Sequence, residues 1–177
     1  MPSDALKQQI NEQIAYEFAA EQQYIAIAVH YDSLTLPRLA TLFYKQALEE
    51  RNHAMMLVQY LLDRDAQVTI PGVEAPRTEF GDVVEPIAVS LEQEKRVGDE
   101  IEGLTQTARD EKDYLTEQFL IWFLKEQVEE VAKMSSLLQV AERERENSSR
   151  IEDFIVREAF DAEDADPAAP RAAGGAL

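Results

Sequence analysis

Glu50 and His53 stand one helical turn apart in the stretch EERNHAMM, residues 49–56, inside a segment whose apolar residues recur at helical spacing. A carboxylate and an imidazole at i and i+3 share one helix face, so both can reach a common point. Three other apolar stripes are broken in the same way. Glu17 lies three after Ile14 and seven before Tyr24, and Glu94 lies three after Leu91 and seven before Ile101. Gln127 and Glu130 fall four and seven after Phe123, with Met134 four beyond Glu130. These spacings turn every one of them inward. An unpaired buried charge costs several kcal/mol, so four converging acids require compensation. The flanking inward positions hold almost no Lys or Arg, and Arg51, Lys95, Lys125 and Lys133 are expected at the sides of the stripes. Two divalent cations would balance four carboxylates. Oxygen ligands with one imidazole suit iron(II) or manganese, with Glu50 bridging both metals and His53 capping one.

Four long helices and a short fifth must carry these residues. Ser3 is an expected N-cap for the first, whose stripe runs Leu6, Ile10, Ile14, Ile25 and Ala28 and stops near Asp32. The second spans about residues 38–65, after Pro37, with Leu39, Leu42, Phe43, Leu57, Tyr60 and Leu61 on one side. The third starts near Asp82 and carries Ile87, Leu91, Ile101 and Leu104; the fourth follows a cap at Asp113 and carries Phe119, Phe123, Met134, Leu137 and Leu138. Ser149 and Glu152 form a capping-box pattern for the fifth. Glycine and proline gather at the joints. One joint, AQVTIPGVEAPRTEFG, is long: roughly 15 extended residues reach about 50 Å, against about 42 Å for a helix of about 28 residues. It can therefore run the length of a helix and start the third parallel to the second. The expected fold is all-α, two helical hairpins joined by one long crossover, the topology of a ferritin-like four-helix bundle. Residues 1–160 form that domain, and 161–177, DAEDADPAAPRAAGGAL, read as a mobile acidic and Ala-Pro-Gly tail.

Composition narrows the chemistry. The 177-residue chain has no cysteine, which excludes disulfides, thiolate zinc sites and iron–sulfur clusters. Its 35 acidic and 17 basic residues give a net charge of −18, a field that repels nucleic acid and anionic lipid and attracts cations. The first residues lack a basic and apolar signal pattern, and no apolar run approaches a membrane span; a cytoplasmic protein without nucleic-acid or membrane partners is expected. His30 and Trp122 read as structural, and Met55 and Met56 as core filler.

The motifs YEFAAEQQY, EERNH, EQE and EQVEE, in that order, resemble those of bacterial non-haem ferritins over roughly residues 3–160. The resemblance implies a cage of 24 subunits that takes in Fe(II), oxidises it at a di-iron centre with oxygen or peroxide, and stores a ferric mineral. By position, Glu17, Glu50 and His53 resemble the ligands of one iron, and Glu50, Glu94 and Glu130 those of the other, with Gln127 close by. Tyr24 matches a tyrosine beside the centre, and Glu49, Glu126 and Glu129 an auxiliary third iron position. Bacterioferritins carry a second Glu-x-x-His on the fourth helix and a haem-ligating methionine after the bridging glutamate; here stand EQVEE and Arg51, so no haem is expected. The residues alone leave open a di-iron oxygenase or peroxidase of the same fold, or a non-enzymatic bundle with solvated acids. A rubrerythrin-like peroxidase would need a Cys-x-x-Cys domain that this chain lacks.

Overall fold

The computed structural model describes residues 2–160 and 166–177. It contains α1 (Asp4–Ser33), α2 (Pro37–Asp63), α3 (Glu85–Asp110), α4 (Tyr114–Arg143) and α5 (Ser148–Arg157). The caps follow from local chemistry. Ser3 accepts from the Leu6 amide at 3.1 Å and Asp113 from the Thr116 amide at 3.2 Å, as expected. Asp82 accepts from the Val84 and Glu85 amides at 2.9 Å, so α3 begins just after it.

The core divides into two apolar clusters. One holds Leu6–Ile14 of α1, Met56–Leu61 of α2, Val97–Ala108 of α3 and Leu120 and Phe123 of α4. The other holds Tyr24–Tyr31, Leu39–Ala47, Ile87–Leu91 and Met134–Ala141 of the same helices, with Ile151 and Ile155 of α5. Traversed in chain order, α1 and α4 run from the first cluster to the second, and α2 and α3 run the opposite way. The two hairpins are therefore antiparallel inside and α2 is parallel to α3, the ferritin-like arrangement expected of the long crossover.

That crossover is fastened along α1. Asn11 donates to the Gln67 carbonyl and accepts from the Thr69 amide. Twelve residues on, Gln23 donates to the Arg77 carbonyl and accepts from its amide, both at 2.9 Å. The Tyr31 hydroxyl then donates to the Val83 carbonyl at 2.7 Å, next to the start of α3. Side-chain amides here replace the ladder partners that an extended segment lacks.

Several local expectations are corrected. Ile25 is 37% exposed, because the α1 stripe passes through Tyr24, Ile27, Ala28 and Tyr31. Gly98 and Gly103 lie inside α3 rather than at a joint. The fifth helix is capped at Asn147 without a side-chain bond. Glu152 instead accepts from the Arg38 and Leu39 amides at 2.7 and 3.3 Å, supplying the cap that Leu36 cannot give to α2. Of the expected tail, residues 161–165 lie outside the described residues. Residues 166–177 lie against α2 and α4: Trp122 Nε1 donates to Asp166 at 2.8 Å, the Ala173 amide to the Met55 carbonyl at 3.0 Å, and Asn52 pairs with both backbone groups of Leu177. Ala172 is small enough to be buried there.

Candidate metal centre

Between the two apolar clusters lies a buried polar layer made of Gln13, Glu17, Gln46, Glu50, His53, Gln93, Glu94, Gln127 and Glu130. Every inward acid singled out by its spacing is in it. Each helix contributes because its stripe is interrupted at the same height, so the four interruptions meet. His53 is wedged edge-on against Trp122 and Phe123, with ring centroids 5.6 and 5.7 Å apart, which fixes where its nitrogens point.

Glu17, Glu50 and His53 converge, with ligand atoms that all lie within 4.8 Å of one another. His53 Nδ1 is 3.5 Å from Glu50 Oε2 and 4.0 Å from Glu17 Oε2. Glu17 Oε2 and Glu50 Oε1 are buried without a hydrogen-bond partner. Orphaned buried carboxylate oxygens are costly, and their convergence beside an imidazole fits a divalent cation. Burial pushes the Glu17 carboxyl above its ordinary range, and burial together with the charges of Glu94 and Glu17 pushes Glu50 well above it.

Glu94 is held in the layer by Tyr24 and Gln127. It accepts from the Tyr24 hydroxyl and from Gln127 Nε2 at 2.7 Å, and the same Nε2 reaches the Glu94 carbonyl at 2.9 Å. Burial and the neighbouring Glu130 charge raise its carboxyl to about 7. Burial and the Glu94 charge likewise push the Tyr24 phenol well above its ordinary value, so it remains a donor at neutral pH. Gly98 explains the close approach of α3 and α4 here: a Cβ at that position would lie 3.1 Å from Gln127 Cγ.

Glu130 gathers with Glu49 and Glu126 in a second cluster whose ligand atoms also lie within 4.8 Å of one another. Glu129, assigned by resemblance to that third position, is exposed and lines the same groove. The groove, about 1180 Å³, runs between α2 and α4 and is bordered by residues of the 166–177 segment.

One expectation fails outright. Lys133 does not stay at the side: its ammonium lies 3.6 Å from Glu130 Oε1 and donates to Gln46 Oε1 at 2.6 Å. Gln46 Nε2 in turn donates to Glu130 Oε2 at 2.7 Å, and Gln13 donates to Glu17 Oε1 at 2.8 Å. Of these residues, Gln13 and Gln46 are not among those marked out by the spacing of the acids. Gln13 and Gln46 sit four before Glu17 and Glu50, so a second polar residue one turn upstream in the same stripe was the available signal.

An antiparallel bundle with a long crossover and a mid-height layer of carboxylates and imidazole defines the ferritin-like class. A family model described as a ferritin-like domain matches residues 7–144, and the chain belongs to the ferritin family. It is 58% identical to ferritin BfrB of Mycolicibacterium smegmatis over 168 residues, covering 95% of this chain and 92% of that one. A bacterial non-heme ferritin of Staphylococcus aureus is 35% identical over 151 residues, covering 85% and 91%. Among solved structures, an open pore ferritin from Archaeoglobus fulgidus superposes with a TM-score of 0.85 at 28% identity, covering 92% of this chain and all of that one. Family membership makes this an iron-storage protein. Among the described residues, no helix is long and apolar enough to cross a membrane.

Proposed function

We propose that this chain oxidises Fe(II) within each subunit before storing it, and that 24 copies assemble into the storage cage, in the cytoplasm. Glu17, Glu50 and His53 would hold one iron, and Glu50, Glu94 and Glu130 the second, with Gln127 beside it and no haem. Glu49, Glu126 and Glu129 or Glu130 would receive a third on the groove side. The observation that supports this reading is the buried convergence of Glu17, Glu50 and His53, with two carboxylate oxygens that no protein donor satisfies.

The chemistry follows from charge. Carboxylates stabilise Fe(III) more than Fe(II), which favours electron loss. Two Fe(II) ions give up one electron each, and O₂ with two protons becomes H₂O₂; with H₂O₂ as oxidant, the same two electrons and two protons give two waters. Tyr24 holds the Glu94 carboxylate through its hydroxyl. The net charge of −18 draws Fe²⁺ toward the protein. Aerobic addition of Fe(II) to the wild type and to Glu50→Ala, followed by ferric absorbance, tests the centre. The variant is expected to lose the fast initial phase, and equal initial rates would overturn the assignment. Size-exclusion chromatography tests the cage, which a monomer or dimer would rule out.

A further inference from the structure

We propose that Lys133 is a built-in placeholder cation for the second metal position, holding Glu130 in place until the metal displaces its ammonium. The inference rests on the di-metal reading above and concerns how that site fills and empties. Among the four inward acids, Glu130 pairs with a lysine, Lys133, whereas Glu17 and Glu50 face the His53 imidazole. Glu17 and Glu50 each keep an oxygen without a partner, ready for a metal. Glu94 is held by neutral donors, Tyr24 and Gln127. Glu130 has both oxygens engaged: Oε1 by the Lys133 ammonium at 3.6 Å and Oε2 by Gln46 Nε2 at 2.7 Å.

Gln46 makes the arrangement specific. Its Oε1 accepts from Lys133 at 2.6 Å while its Nε2 donates to Glu130, so the three groups close a ring across α2 and α4. An amide can serve both neighbours in one orientation only, oxygen to the cation and nitrogen to the anion. The lysine side chain is 12% exposed, so the ammonium is held inside rather than tethered at the surface.

Two consequences follow. The first position fills without breaking any contact to lysine, whereas the second metal must free Glu130 Oε1 from the ammonium. The displaced cation has somewhere to go, because Lys133 also lines the groove that holds Glu126 and Glu129. While metal is bound, a positive charge waits a few ångströms away and favours departure of the oxidised ion. The lysine thus orders filling and speeds emptying, acting on the metal through Glu130 as a positioning residue.

The test uses the assembled, full-length protein and cobalt(II), which binds such sites without being oxidised by the assay. Anaerobic titration followed by calorimetry and visible absorbance counts the steps that disappear in Glu50→Ala. Removing one positive charge beside a dication changes its affinity by about tenfold or more even where solvent screens much of the interaction. Lys133→Gln is therefore expected to tighten the second step by about tenfold or more while the first moves by less than about twofold. Lys133→Arg, which keeps the charge, is expected to restore the wild-type order. An unchanged second step in Lys133→Gln, or both steps shifting together as a general packing effect would cause, overturns the proposal. Absence in the wild type of two steps that depend on Glu50 would instead overturn the di-metal reading beneath it.

Discussion

Metal binding at this centre should expel more protons at pH 6 than at pH 8. The perturbation is loading of the metal-free protein with a divalent cation at a series of pH values. Glu94 sets the scale, since burial and the Glu130 charge raise its carboxyl from 4.5 to about 7. That rise corresponds to about 3 kcal/mol against ionisation at the metal-free site. A group titrating at about 7 is about 90% protonated at pH 6 and about 10% at pH 8, and a metal ligand must be deprotonated. Glu94 alone should then release about 0.9 proton at pH 6 and about 0.1 at pH 8. Glu17 and Glu50, also pushed upward by burial, add protons of their own to the release. Below pH 7 the apparent affinity should climb by about tenfold per pH unit for each proton displaced. Calorimetric titration in pairs of buffers with different ionisation enthalpies reads the proton count directly. Equal release at pH 6 and pH 8 would refute the link between burial, raised carboxyls and metal uptake.

Without metal, the same shift makes the subunit less stable as pH rises. The native Glu94 carboxyl holds its proton up to about 7 while the unfolded one loses it near 4.5, so its stabilisation is complete below 4.5 and lost as pH passes through about 7. Chemical denaturation of metal-free Glu94→Gln at pH 8 should show a gain of about 1–3 kcal/mol over the wild type, because a buried charge has been removed. At the other end of the bundle, Glu152→Ala should cost about 1 kcal/mol by uncapping α2, read as a lower thermal midpoint with the Lys133-dependent metal step unaltered.

The stripes, their interruptions and the crossover were legible in the sequence because each is a periodicity or a length, and those are local properties of a chain. Glu17, Glu50, His53, Glu94, Gln127 and Glu130 all reach the buried layer for that reason. What the sequence hid depends on the reach of side chains between elements. A lysine three residues after Glu130 shares its face by the same spacing that pairs Glu50 with His53, but a lysine is ordinarily solvated, and only the structure shows its four-carbon stem bent inward to the carboxylate and to Gln46. Glu152 resembles a cap for its own helix but serves another, more than a hundred residues away. Helix ends were also blurred: Thr35, Asp65 and Lys112 take the left-handed conformation where glycine is the usual marker. Glu129 comes to the third position from the family resemblance rather than from spacing, and it lines the groove together with Glu49 and Glu126.

The division of the core into two apolar halves has a mechanical side. A rod bundle with an oily middle resists shear along its whole length, but this one is held by grease at its ends and by polar groups at its waist. The waist is the polar seam of the subunit, which metal bound as proposed would tighten by bridging its walls. Iron handled at that seam, as proposed, would cross the subunit where polar groups rather than apolar packing hold it together.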